Sequence, residues 1–487
     1  MVEYQLILLI FVYLAGSLFI WLILPQLKSI DKQLLSPFIG IGFSAIAVGA
    51  LLILQLSLTL ISFFISLLLI FFTIKQILNK ILPQYVPSKF SIKEFVFDTI
   101  SIPLIVYVII SILFVKIGYG NASPDSTTFE GIGRYLEQGG ILKSNVLELP
   151  FILNGRLLIV GSMHVINRMF HDYHLYALNP TICVWLLIFL SYTILKVYSP
   201  INKLNRFSIF LFLISLGLYK HYFNGMFDIH SNQLAMVYFT LSIVSLYLFS
   251  ALNDRVWVYI GSLTMGFACL TRIDMLMGSL IYIFLLSVNN KINSKILVRC
   301  YSIFFIVCLP WRIFTLYHTP WDVWYVSFLP IITLLGANII CCIIFIIINE
   351  EKKLLNFFSK LPIGGIPLAM IVLFLSYPDK INLAWNLFVK FVLLGHSTWL
   401  LLVVSLIISS ISFSYLIGRD KNYYILYTPA VLYLFMLFFL VAFSGYAKED
   451  ISVDRMVLHI VPLHVFSLFV GLITASGQKE LKPFRSV

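Results

Sequence analysis

Residues 51–74 read LLILQLSLTLISFFISLLLIFFTI, and the run is apolar on every face. A transmembrane β-strand alternates apolar with polar side chains, so this stretch cannot be one. A helix satisfies all its backbone polar groups internally and tolerates apolar residues all round. The longer run over 36–78 exceeds one membrane crossing and is split near Gln55 into two helices. Similar stretches recur along the chain.

The composition agrees. The chain has 487 residues, 60% hydrophobic and only 11% charged, with a mean hydropathy of +0.99. A soluble domain carries roughly 25% charged residues. The reading is an all-α, polytopic integral membrane protein of about fifteen spans, each of about 20 residues. Spans are expected at 4–24, 36–54, 57–77, 98–117, 176–196, 207–221, 234–251, 256–271, 274–289, 299–317, 329–349, 361–377, 397–417, 423–444 and 457–475. The first run, from Tyr4 to Leu24, has no Lys or Arg before it and no clear cleavage site. It reads as a span, not a signal peptide.

A net charge of +12 raises the question of nucleic acid. The basic residues are scattered between apolar runs, as topology signals are, so that partner is excluded. The six cysteines, Cys183, Cys269, Cys300, Cys308, Cys341 and Cys342, lie in or beside apolar runs without metal spacing. They read as small residues facing lipid or neighbouring helices, not as disulfides.

Orientation follows from the positive-inside bias. With the N-terminus outside, inner loops hold Lys28 and Lys32, Lys75 to Lys93, Lys196 to Arg206, Arg255, Lys291 to Arg299, Lys352 to Lys360, Arg419 and Lys421, and the tail from Lys479. Together these are 21 of the 33 Lys and Arg. Phe151 to Phe170 is apolar enough to cross, yet contains Asn154, Arg156, His164, Asn167 and Arg168. A crossing here would invert every later loop, so the segment is expected to lie at the outer interface. Gly118 to Tyr173 then forms one long outer segment.

The outer face carries the unusual chemistry. In GYGNASPDSTTFEGIGRYLEQGG, Asp125 stands at the start of a helical pattern with Phe129, Ile132, Tyr135 and Leu136 on one face. The helix dipole favours its charged form there, and an N-cap role is the plainer reading. The next outer loop gathers Lys220, His221, Asn224, Asp228, His230 and Asn232. LTRID places Arg272 and Asp274 at an outer junction, as a candidate site or a local ion pair. KEDISVDRMVLHIVPLH places Arg455 and His459 at the outer start of the last span, where Arg455 could also simply snorkel. Carboxylates serve as bases on hydroxyl groups, and Arg suits phosphate through its planar fork.

An acidic outer loop with an amphipathic helix, a second Asp loop, an LTRxD-like junction and a closing Arg455-x-x-x-His459-x-x-Pro462 segment resemble the membrane glycosyltransferases of superfamily C. The nearest branch is similar to bacterial relatives of protein mannosyltransferases and lipid A aminoarabinose transferases. The likeness spans roughly 98–475. It implies an inverting transfer from a polyprenyl-phosphate-linked sugar to a lipid, glycan or protein acceptor. The site would face outward from a multi-pass protein of the bacterial inner membrane. By this resemblance Asp125 is the catalytic carboxylate and Asp228 its assistant. Arg272, Arg455, Lys220 and His230 hold the donor phosphate. Glu130, Arg134, Asn154, Arg156, His221 and His459 line the acceptor and sugar pocket. Residues 1–97 are extra helices before the core, and 476–487 form a cytoplasmic tail. The paired acidic signature of many members is absent, and there is no dense acidic cluster for a divalent metal. Two alternatives stand beside it. A polysaccharide polymerase or O-antigen ligase would carry its large loop in the second half. A transporter or lipid flippase would show an internal repeat and charges at mid-membrane.

Overall fold

The structure is a computed structural model describing residues 2–81, 95–96, 99–117, 158–170, 175–198, 231–318, 328–349, 351, 372, 374–389, 412, 416–417, 422–443 and 457–475. Among these residues there is no strand. The helices are α1 (Val2–Ile23), α2 (Ser29–Ile53), α3 (Leu60–Ile81), α4 (Ile102–Ile117), α5 (Leu158–Met169), α6 (Leu178–Val197) and α7 (Ser231–Leu252). They continue as α8 (Val256–Thr271), α9 (Met275–Ser287), α10 (Ser294–His318), α11 (Phe328–Ile348), α12 (Pro378–Phe388) and α13 (Tyr423–Phe443). A 3-10 turn, Leu458–Ile460, then leads into α14 (Val461–Ala475).

Seven of the described helices are long and apolar enough to cross a membrane, and five shorter apolar ones accompany them. The chain is therefore a helical, multi-pass membrane protein. Its outer helices display what water would not tolerate. Ile61, Ile65, Leu68, Leu69 and Phe72 on α3 are exposed, as are Ile102, Ile105, Ile109 and Leu113 on α4. Patches of that extent mark contact with lipid. The expected span at 207–221, and most of those at 361–377 and 397–417, lie outside the described residues.

At the centre stands α7, 94% buried. It ends at Asn253, whose left-handed backbone (φ 57°) closes the last turn through its N–H on Phe249 O. Asn tolerates that conformation better than most residues. Helix α2 is embedded beside α7. The Tyr238 hydroxyl donates to Phe38 O, Trp185 Nε1 donates to Leu34 O, and Phe43 meets Phe267 edge-on. Of the N-terminal helices expected before the core, α2 thus packs against α6, α7 and α8, while α3 stays at the periphery.

Side-chain pairs sort the helix ends into two groups. At one end Asp31 pairs with Lys196 at 2.6 Å, and Lys196 lies 4.5 Å from the Trp257 ring centroid. At that same end the Ser250 hydroxyl donates to Asn422, Lys291 Nζ donates to Ser250 O, and Tyr198 meets Tyr247 and Thr474. At the opposite end Gln5 accepts from the Ala177 N–H, and Arg272 reaches Ser231. Adjacent helices therefore run antiparallel through a common bundle.

Two expectations are corrected. Helix α2 begins at Ser29, not Ser36, so Lys32 is not a loop residue. It is buried in the first turns of α2 with Asp31. Lys196 closes α6 instead of opening a loop. The second correction concerns α5. Its described part has 12 residues, about 18 Å of helix. Thr99 pairs with Ser17 and Tyr107 packs on Tyr13, so α4 runs antiparallel to α1. It delivers Ile117 to the end where Ala177 sits. Yet α5 does not lie on a surface. Residues 159–166 are all buried, and His164 and Asn167 are covered too. Helices α1, α2 and α8 enclose it.

Candidate functional site

Helix α8 stops at Thr271 because the backbone becomes extended at Arg272 (φ −150°, ψ 149°). Within a helix, residues two apart do not face each other. The break lets Arg272 and Asp274 meet: Nε donates to both carboxylate oxygens, at 2.8 and 3.1 Å. Both residues are 5% exposed. This is the local ion pair that the LTRID junction allows. Nη1 also approaches Ser231 Oγ at 3.5 Å, linking the junction to the start of α7.

Behind this pair stands Arg312 of α10, 1% exposed. It donates through Nη2 to the Cys269 carbonyl, one of the last-turn oxygens that a helix cannot satisfy itself. The negative end of the α8 dipole favours a cation there. Farther along, the Ser279 hydroxyl donates to Asn338 Oδ1 at 2.7 Å, and Asn338 Nδ2 donates to Leu276 O at 3.0 Å.

The next residue of α7, Asn232, reaches a different neighbour. His459, fully buried in the turn before α14, sits with Nε2 3.2 Å from Asn232 Oδ1 and Nδ1 2.6 Å from the Tyr433 hydroxyl. An amide oxygen only accepts, so Nε2 carries the proton. In the neutral ring Nδ1 then accepts from Tyr433. Helix α13 continues ten residues past Tyr433 to Phe443, about 15 Å. The cluster thus lies below the end of that helix.

The structure brings Arg272 and His459 together around Ser231 and Asn232. Asp125, Asp228, Arg455, Lys220, His230, Glu130, Arg134, Asn154, Arg156 and His221 lie outside the described residues. Sequence reasoning missed Arg312 and Tyr433. Arg312 had a signal, since a charge inside an expected span suggests function by default. One Tyr among 26 had none. Among the described residues, no group of three or more His, Cys, Asp or Glu could hold a metal ion.

No family model, no curated protein and no solved structure matches the chain. Fold and cluster together define a multi-pass helical membrane protein with a buried polar centre at one end of its bundle.

Proposed function

We propose that this protein is a membrane glycosyltransferase of the superfamily C type. It moves a sugar from a polyprenyl-phosphate carrier to a lipid, glycan or protein acceptor on the outer face of the bacterial inner membrane. The observation that carries this reading is that successive residues at the start of α7 hold two of the candidates, Ser231 touching Arg272 and Asn232 touching His459. These come from three separated segments, and the candidate residues nearest to them in sequence are Asp228, His230 and Arg455.

In this reading Asp274 grips Nε and fixes the plane of the Arg272 guanidinium. Together with Arg455, Lys220 and His230 it receives the carrier phosphate. Asp125 accepts the proton of the acceptor hydroxyl as that oxygen attacks the anomeric carbon. The carbon–oxygen bond to phosphate breaks, and the lipid phosphate leaves with the electron pair, held by the cations. Asp228 assists from the neighbouring loop. Glu130, Arg134, Asn154, Arg156 and His221 contact acceptor and sugar, while His459, buried with both ring nitrogens engaged, stands behind that pocket and holds Asn232.

The test is Asp125→Asn. An N-cap needs only a side-chain acceptor, which Asn supplies. A base needs the charge, and its loss removes roughly 10²–10⁴-fold in rate. Purified Asp125→Asn should melt with the unaltered protein and fail to transfer sugar from a polyprenyl-phosphate donor. Near-normal turnover would reduce Asp125 to a helix cap and remove the mechanism's central residue.

A further inference from the structure

A second feature lies toward the opposite end of the bundle. The lower halves of α1, α3, α8 and α10, with α2 as floor, form an open groove, with about 570 Å³ of empty space when its mouth is counted. Its walls include Leu24, Phe43, Ile77, Tyr259, Ile303 and Ile306, and almost no polar surface lines it. It opens outward where Ile306 is 41% exposed. Phe63 packs on Phe11 and Phe71 on Phe19, so α3 runs parallel to α1, toward the end marked by the Asp31–Lys196 pair.

Helical spacing then places three cations just beyond the groove. Residues three or four apart share a helix face. Lys80 follows Ile77 by three on α3. Arg255 precedes Tyr259 by four, with helical backbone at its own position (φ −63°, ψ −19°). Arg299 precedes Ile303 by four on α10. The directions of α3, α8 and α10 put all three one turn past the groove, at the same end. Lys80 and Arg255 are exposed and Arg299 is half-buried.

We infer that this is a binding site for one anionic phospholipid, in the leaflet at the Asp31–Lys196 end of the bundle. One acyl chain lies in the groove, and Lys80, Arg255 and Arg299 hold the headgroup phosphate. Apolar walls alone would accept any hydrocarbon chain; three cations at the same end of the groove select an anionic headgroup. Each cation near a membrane surface contributes about one kcal/mol toward anionic lipid, so three give roughly a hundredfold preference. The site lies away from the proposed transfer centre and does not depend on that reading.

The full-length protein is reconstituted with equal amounts of phosphatidylglycerol and phosphatidylcholine of identical chains. Retained lipid is then counted by native mass spectrometry. The expected result is strong retention of phosphatidylglycerol over phosphatidylcholine, unaffected by added inorganic phosphate, which has no chain. The triple variant Lys80→Gln, Arg255→Gln, Arg299→Gln should bind the two lipids alike. Leu263 also lines the groove; Leu263→Trp, which fills it but keeps the charges, should lose both. Equal retention by the unaltered protein, or undiminished preference in the triple variant, overturns the proposal.

Discussion

His459 shows how one side chain can be fixed by two neighbours with opposite demands. Asn232 Oδ1 requires a donor, and the Tyr433 hydroxyl then donates into the other ring nitrogen. Tyr433→Phe keeps the ring and removes only that hydroxyl. Leaving a buried acceptor short of its donor costs about 1–3 kcal/mol. The variant should therefore unfold at lower temperature in detergent, while Tyr433→Phe combined with His459→Phe recovers part of the loss. An unchanged melting temperature in the single variant would mean the hydrogen bond contributes nothing. The sequence made His459 visible as a polar residue at a span start, and Arg272 visible beside Asp274. Asn232 was visible only as one polar residue of an outer loop, and nothing pointed to Tyr433 or to Ser231. Those depend on which helix faces which, and uniformly apolar helices carry no periodicity that names a partner.

Helix pairing is decided by small residues and buried charges. A Cβ on Gly40 would overlap the Val12 carbonyl oxygen, and one on Gly16 would overlap that of Ser36. Both obstacles are backbone, which cannot rotate aside, so α1 and α2 approach as closely as they do only because both crossing positions lack side chains. Gly40→Val should cost at least the roughly 1–3 kcal/mol of ordinary overpacking, read as a lower melting temperature and easier proteolysis between α1 and α2. A charged clasp joins α2 to a different neighbour, α6. The side chains of Asp31 and Lys196 are 2% and 13% exposed, and the ammonium also faces Trp257. Removing one partner of such a pair strands the other charge, at roughly 3–5 kcal/mol. Asp31→Asn should therefore be strongly destabilised, and Asp31→Asn with Lys196→Met should be closer to the unaltered protein. Equal losses in the single and double variants would contradict a coupled pair. The start of α2 was misplaced in the sequence because Asp31 and Lys32 read as loop residues. Two buried charges within a helix are legible only once Lys196 and Trp21 are known to face them.

At the scale of the whole molecule, the paired helix ends mean that a single sidedness measurement fixes every described loop. Composition made the helical membrane class legible, because it needs no knowledge of partners. The bias of Lys and Arg made an orientation legible as an expectation. Ser57 lies in the exposed link between α2 and α3, and Lys295 is exposed in the first turn of α10. The contacts place these two at opposite ends: α2 leaves the Asp31 end, whereas Asn349 Nδ2 donates to Ile292 O beside the Lys291–Ser250 contact. Five of the six native cysteines are buried and Cys341 is half-buried, so a background without them is prepared first. Ser57→Cys should then react with an impermeant thiol reagent on intact cells, and Lys295→Cys only after the membrane is opened. The reverse pattern would leave the fold standing but turn the bundle over, carrying Arg272 and His459 to the cytoplasmic face. An outward-facing transferase would then be ruled out. Labelling of both positions from one side would contradict the antiparallel bundle itself. The Asp31–Lys196 and Arg272–Ser231 contacts could not then both belong to the membrane-inserted protein.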